Sequence, residues 1–536
     1  MRSVFYLLLL AVLVIACGPA PERTEFSVLT DDGIELKTSL FVPKKSSVFP
    51  AVLVRTPYSR SSEEWLGNAF GRFGVAVVLQ DVRGKYGSGG EFYPFRHERA
   101  DGLQTLRWIR SQPWSNGKVA GWGGSYLGYT QWAISDSLDF MAPTLTGADL
   151  YDLIYPDGLF SLQTAYNWGL TVASPTANTV TPEMLGQGYR HLPMIEADDA
   201  VLRDISFYND WLSHDQDDAY WQALNHRHRA RGPMLSIAGW YDIFLKAQIA
   251  DFQALVARGD TRSRLVIGPL AHGSQGEENK YGGERKTGRP IQIFRYVLRQ
   301  LKGKPAVLKG PLKDARYNLF IMERNEYIGS DVWPPAETTV VPYYLGAEGS
   351  IGPDLPASSG RLSYTYDPND PFPSLGGTAL GEKVGPARQN PNRDRGDMLA
   401  FETPALSEPL TLLGPISARL WLASDAPCTG FIVALHDVFP DGKIINIQEG
   451  GALVVPDSLA PAAAEISVWA TGYELAKGHR LRVVISSGWF PRYGRHLNTC
   501  APLARATEAV PARQTVFFGA GTPSVLLLPV YDMKPR

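Results

Sequence analysis

Gly121-Trp122-Gly123-Gly124-Ser125-Tyr126-Leu127-Gly128 is the stretch on which the fold turns. A sharp strand-to-helix turn can lift a serine hydroxyl above the edge of a sheet, and the crowding inside such a turn demands small flanking residues. Gly123 stands two places before Ser125, but two places after it comes Leu127, and Gly128 follows one later. The strict Gly-x-Ser-x-Gly spacing is therefore missed by one position. By itself the octapeptide reads equally as a plain turn with Ser125 capping a helix. Its flanks favour the elbow: Lys118 to Trp122 reads as a short strand and Tyr126 to Ser135 as a helix, the setting that an exposed nucleophile requires.

Working outward, the same alternation continues. Ala51 to Val54 and Val75 to Gln80 are apolar runs of strand length, while Ala100 to Ile109 places Leu103, Leu106 and Ile109 on one helical face. Strands alternating with helices imply parallel βαβ units and a sheet buried on both sides. From Thr144 to Arg231 the texture becomes helical and acidic, as in an insertion over the sheet. Alternation resumes with strands at Met234 to Ala238, Arg264 to Ile267 and Tyr317 to Met322 and a helix at Leu245 to Arg258. After Pro334-Pro335 short alternating strands and Gly/Pro turns dominate, among them Leu410 to Leu422, Phe431 to Val438, Glu465 to Ala470 and His479 to Ser486. That spacing suggests a sandwich or jelly roll. The expected fold class is α/β: an α/β domain over 25–143 and 232–335, a helical insertion at 144–231, and an all-β sandwich or jelly-roll domain over 336–536.

A serine at neutral pH needs a base within hydrogen-bonding reach, and the base needs an orienting carboxylate. In α/β-hydrolases these follow in the order Ser, Asp or Glu, His, each after a strand end. The strand ending at Ala238 runs into Gly239-Trp240-Tyr241-Asp242, and the strand ending at Ile267 into Gly268-Pro269-Leu270-Ala271-His272. Of the 9 histidines, His272 is the one that follows Asp242 within the α/β region. Singly, Asp242 reads as a helix cap and His272 as a loop residue; with Ser125 they form an ordered triad. Tyr126 N–H, just after the nucleophile, is the expected first oxyanion donor. The second should come from the loop after Ala51 to Val54, where Arg55-Thr56-Pro57-Tyr58 offers the Tyr58 hydroxyl, although an anchoring tyrosine at a core edge is the commoner role. Phe244 and Trp168 are candidate walls of an acyl pocket, or ordinary core residues.

The chain has 536 residues, with 52 basic against 54 acidic side chains and a formal net charge of −2. This length calls for more than one domain, and the balance gives no electrostatic pull toward nucleic acid or anionic membrane. The N-terminus carries Arg2, the apolar run Val4 to Ile15, and then Ala16-Cys17-Gly18. The run is of signal-peptide length and short for a bilayer span. Small residues before a cysteine resemble the bacterial lipobox, which makes Cys17 a lipidation candidate, 1–16 the signal peptide and 17–24 a tether; an ordinary signal peptide with a chance cysteine is the alternative. The expected location is the periplasm or cell surface, with the lipid anchor the sole membrane contact. Cys428 and Cys500 are either a disulfide or two buried thiols.

Further segments carry a resemblance. They are Arg55-Thr56-Pro57-Tyr58, Asp81-Val82-Arg83-Gly84 with Gly87-Ser88-Gly89-Gly90-Glu91-Phe92, Gln112-Pro113-Trp114-Ser115-Asn116-Gly117, Gly124-Ser125-Tyr126-Leu127-Gly128, Gly239-Trp240-Tyr241-Asp242, and Gly268-Pro269 before His272. Tyr366-Asp367-Pro368, Gly376-Gly377 and Asp437-Val438 with Pro440-Asp441-Gly442 extend them toward the C-terminus. In these the chain resembles the cocaine esterase, glutaryl acylase and X-Pro dipeptidyl-peptidase-like serine hydrolases, the CocE/NonD group. The resemblance implies a hydrolase domain, a cap and a galactose-binding-like jelly roll. It also implies the triad Ser125, Asp242 and His272, and an oxyanion hole from the Tyr58 hydroxyl and Tyr126 N–H. Relatives acting on α-amino acid esters carry acids just after the triad aspartate; Ile243-Phe244-Leu245-Lys246 stand there instead. The expected function is two-step acyl transfer from an ester or amide of a small acyl group, with no metal or cofactor. A dipeptidyl peptidase removing X-Pro from short peptides is the alternative, its ammonium anchor sought among Asp149, Asp157 and Asp198. A glycan-binding surface lipoprotein with an inert hydrolase domain is the third reading. Monomer and homo-oligomer both remain open.

Overall fold

The computed structural model describes residues 19–44, 47–174, 179–281, 290–455 and 460–533. The signal segment and Cys17 lie outside the described residues. A ten-stranded sheet forms the centre. Its strands are β1 (Glu22–Leu29), β2 (Glu35–Val42), β3 (Phe49–Thr56), β4 (Ala76–Asp81), β5 (Ser115–Gly124), β6 (Phe140–Thr144), β7 (Leu235–Tyr241), β8 (Arg264–Ala271), β10 (Tyr317–Ile321) and β11 (Glu326–Ser330), with a short β9 (Gly273–Gln275) outside it. The spatial order is β1-β2-β4-β3-β5-β6-β7-β8-β10-β11. Neighbours from β4 through β8 to β10 are parallel, and β2 runs antiparallel to β4. This is the α/β-hydrolase arrangement. Every residue of β3, β4 and β7 is buried, which is why these strands read as unbroken apolar runs rather than as alternation. Glu22, Arg23 and Thr24, expected in a tether, instead open β1 and pair with Val42, Phe41 and Leu40. Arg23 fastens that edge through Glu64 at 2.7 Å.

Between β6 and β7 lie the helices Tyr151–Ile154, Leu162–Ala173, Pro182–Arg190, Ser206–Ser213 and Ala219–Leu224. Proline opens the third of these after Thr181, whose hydroxyl accepts from Met184 N–H, a start that uses proline where the helix has no N–H to spend. An ion cluster ties this cap to the core. Arg227 reaches Asp251 at 2.6 Å, Asp152 at 2.9 Å and Asp149 at 3.3 Å. Asp251 is fully buried, and burial raises its carboxyl to about 6 although Arg227 pulls the other way.

The C-terminal part is all β. A seven-stranded sheet, with Leu410–Ser424 and Val525–Tyr531 near its middle, faces a four-stranded sheet built from Met398–Glu402, Thr429–Val438, Ile444–Val454 and Arg480–Ser486. Leu412, Leu420, Val433, Leu435 and Val483 fill the space between them and are fully buried. Cys428 and Cys500 form a disulfide, Cα to Cα 5.3 Å, across 72 residues of sequence. Among the described residues no helix is long and apolar enough to cross a membrane.

Contacts at β9 and at β7 join this domain to the hydrolase domain beside the catalytic edge of the sheet. β9 pairs in parallel with Gly381–Val384. On β7, Tyr241 donates to the Asn446 carbonyl at 3.0 Å, and the Gln448 amide donates to the Trp240 carbonyl at 3.0 Å.

Candidate active site

Ser125 directly follows β5 with φ 54° and ψ −127°, a conformation that costs on the order of 1–3 kcal/mol for a residue with a Cβ and persists where the surroundings impose it. Its N–H is held by the Thr144 carbonyl at 3.0 Å. The glycines explain the irregular spacing of the motif. A Cβ on Gly123 (φ 132°) would lie 2.5 Å from Leu127 Cβ. These two positions face each other inside the elbow, so one glycine frees room for one side chain, and Leu127 takes it. Gly128 is small for another reason: its Cβ would meet Thr146 Cγ2 at 2.3 Å.

β5, β7 and β8 end at the same edge of the sheet and bring three side chains together. His272 Nε2 stands 2.9 Å from Ser125 Oγ, and His272 Nδ1 stands 2.8 Å from Asp242 Oδ2. A carboxylate can only accept, so the imidazole carries its proton on Nδ1 and presents the Nε2 lone pair to the serine. Asp242 is fully buried, and its second oxygen accepts from Phe244 N–H at 2.9 Å. This is the geometry by which a base is oriented and a hydroxyl activated.

Tyr126 is the first residue of the helix Tyr126–Ala133, where backbone N–H groups have no partner within the helix. Its side chain is used elsewhere, donating to Glu98 at 2.7 Å and accepting from Phe95 N–H at 3.0 Å. Glu98 in turn pairs with Arg55, which is 1% exposed. The first residue of Arg55-Thr56-Pro57-Tyr58 is thus a buried strut under the nucleophile. Tyr58 turns its ring edge-on to Tyr126, centroids 6.5 Å apart, and its hydroxyl accepts from the Trp168 indole N–H at 2.8 Å. Burial pushes the Tyr58 phenol up to about 12, with the hydrogen bonds to Trp168 and Ser125 opposing, so it remains a proton donor at any working pH.

Ser125 and His272 open on an apolar cavity that Trp168 and Phe244 also line. Sequence reasoning missed Trp211 and Trp221 from the cap and Leu380 from the C-terminal domain. Leu380 comes next to the strand that pairs with β9, and its carbonyl is held by Gln163 at 3.2 Å. No local pattern marks such residues, because the three elements meet only in the tertiary structure. Asp149, Asp157 and Asp198 do not line the cavity.

Comparison with known proteins gives the same picture. The X-Pro dipeptidyl-peptidase (S15 family) profile matches residues 32–274, and that of the X-Pro dipeptidyl-peptidase C-terminal non-catalytic domain matches residues 313–527. The chain is 33% identical to the cocaine esterase of Rhodococcus sp. (strain MB1 Bresler), covering 93% of this chain and 96% of that one. A putative serine esterase of Mycobacterium bovis is 25% identical over 88% of this chain and 91% of its own length. Two solved structures share the fold along 96% of this chain and 97% of theirs, each 22% identical. One is an aminopeptidase from a marine sediment Thaumarchaeota archaeon, at a TM-score of 0.82, and the other an α-amino acid ester hydrolase, at 0.79. With both halves of the chain matched and the cocaine esterase aligned nearly end to end, the chain belongs to the X-Pro dipeptidyl-peptidase-like (CocE/NonD) family of serine hydrolases.

Proposed function

We propose that the protein is an esterase or acylase that moves an uncharged, apolar acyl group onto Ser125 and then to water. The observation that carries this reading is the cavity beside Ser125 and His272: among the described residues its wall holds no carboxylate and, apart from His272, no basic side chain. His272 takes the Ser125 proton as Oγ attacks the carbonyl. Asp242 holds the imidazole in the required tautomer and stabilises the imidazolium. The oxyanion is met by Tyr126 N–H and the Tyr58 hydroxyl. His272 then protonates the departing alcohol or amine, and water repeats the cycle on the acyl-enzyme.

The peptidase reading needs an anion for the substrate ammonium, and the three candidate acids lie outside the cavity wall and hold other partners. Asp149 accepts from Asn225 at 2.8 Å and faces Arg227, Asp157 holds Lys246 at 2.8 Å, and Asp198 accepts from Ile205 N–H at 2.6 Å. A panel of p-nitrophenyl benzoate, p-nitrophenyl acetate and Gly-Pro-p-nitroanilide, assayed with wild type and Ser125→Ala, tests the assignment. Ester turnover lost in Ser125→Ala is expected; turnover of Gly-Pro-p-nitroanilide alone overturns it.

The location belongs to the same proposal. Export and lipidation at Cys17 are supported by the apolar leader before Ala16-Cys17-Gly18 and by the Cys428–Cys500 disulfide, a bond that persists in oxidising compartments. The substrate is a small-molecule ester or amide, and the anchor is the membrane contact. Palmitate labelling that survives Cys17→Ala would refute the anchor.

A further inference from the structure

Trp168 lines the acyl cavity, but its polar atom does something a wall does not require. The indole N–H points at the Tyr58 hydroxyl, 2.8 Å away. An indole nitrogen donates and cannot accept, while a phenol donates once and accepts at two lone pairs. Trp168 therefore occupies an acceptor site on Tyr58 and offers no acceptor for the phenol's own proton. That proton stays on the Ser125 side of the ring, where Tyr58 also hydrogen-bonds to the serine before substrate binds, and it is available to the acyl oxygen once Ser125 Oγ has attacked. Hydrogen bonds in such a chain also polarise one another, and a phenol that accepts becomes a better donor.

The indole is held in place. It stacks on Phe95 (5.4 Å, 18°), Tyr126 (5.9 Å, 18°) and Trp211 (5.9 Å, 21°). A ring clamped in this way fixes the direction of its N–H before substrate arrives, and oxyanion donors are effective because they need not reorganise during the reaction. Trp168 belongs to the cap helix Leu162–Ala173, whereas Tyr58 follows β3 of the core.

We infer that Trp168 is a positioning residue of the oxyanion hole, its N–H directing the Tyr58 proton at the acyl oxygen, so that the cap completes a donor set the core cannot finish alone. The inference rests on the acyl-transfer reading above.

A double-mutant cycle tests it, with p-nitrophenyl benzoate as substrate. Tyr58→Phe should lower kcat by about 10²-fold, as expected for the loss of one oxyanion donor. Trp168→Phe in the wild-type background should lower kcat about 10-fold with KM changed less than about 3-fold, a fraction of that donor's worth. In the Tyr58→Phe background the same change should move kcat less than about 2-fold, because the hydroxyl it serves is gone. An equal loss in both backgrounds, or an effect confined to KM, overturns the inference and leaves Trp168 a pocket wall. Replacing Trp168 with 3-benzothienylalanine keeps the bicyclic ring and deletes only the N–H. It should reproduce the loss in kcat, and full activity in that variant overturns the inference irrespective of packing. Activity that survives Ser125→Ala would instead sink the acyl-transfer reading, so the two failures are distinct.

Discussion

Gln448, in a strand of the C-terminal domain, donates its side-chain amide to the Trp240 carbonyl at 3.0 Å and to the Ala470 carbonyl at 2.8 Å. One fully buried side chain thus couples the strand before Asp242 to the interior of another domain. Gln448→Ala leaves both carbonyls without that donor, and stranded buried groups cost about 1–3 kcal/mol each. The variant should melt several degrees lower in calorimetry. Because the Asp242 loop loses its backing, kcat on an ester should also fall at temperatures where the protein remains folded. An unchanged kcat would show that Asp242 is held without the C-terminal domain.

The base has an equivalent tether. Gly273 follows His272 and lies against Gly381 so closely that a Cβ would stand 1.9 Å from the Gly381 carbonyl oxygen. Gly273→Ala must part β9 from its partner. The expected outcome is a strong loss of kcat, well beyond the small effect of a surface Gly→Ala change, with circular dichroism close to wild type. Wild-type turnover in this variant would mean that the pairing does not hold the imidazole.

Asp242→Asn preserves the shape of the triad but lets the imidazole adopt the wrong tautomer. A fall in kcat on the order of 10⁴ is expected, with little change in KM. Fluorophosphonate labelling of Ser125 should slow in parallel. A fall of less than about 10-fold would show that another group orients His272.

His436 is 1% exposed and neither ring nitrogen finds a partner. Burial, with Arg482 alongside, lowers its value from 6.5 to about 3. Above pH 6.5 the ring is neutral folded or unfolded and pH has no leverage through it. Below that, the unfolded chain takes the proton first, so stability falls as pH drops from 6.5 toward 3. His436→Leu removes this penalty. Its melting temperature should decline less steeply than wild type between pH 6.5 and 4, with an advantage of about 2 kcal/mol near pH 5. Parallel melting curves over that range would refute the assignment.

Much of this was legible in the sequence because it depends on local pattern. Unbroken apolar runs mark strands covered on both faces, and β3, β4 and β7 are such strands. Ser125, Asp242 and His272 could be picked out because each follows a strand end, and parallel strands deliver their ends to one edge. The contacts between domains were not legible. Gly273 with Gly381, Tyr241 with Asn446 and Gln163 with Leu380 join residues more than a hundred positions apart, and neither partner carries a periodicity that names the other. The choice between disulfide and free thiols for Cys428 and Cys500 was undecidable for the same reason, since it turns on a Cα separation of 5.3 Å. The sequence offers Trp168 as a wall residue, and it lines the cavity beside Ser125; the direction of its N–H is a property of the stack around it.

The pairing of β9 with Gly381–Val384 also orders events in time. Synthesis runs from the N-terminus, so the ribosome has made Ser125, Asp242 and His272 long before it reaches Gly381, Asn446 and Gln448. A chain halted after the hydrolase half carries every reacting group and lacks the contacts that steady two of them. Hydrolytic competence should therefore come late, once the last domain has closed on the first, and an unfinished or truncated polypeptide should be chemically quiet toward whatever esters surround it.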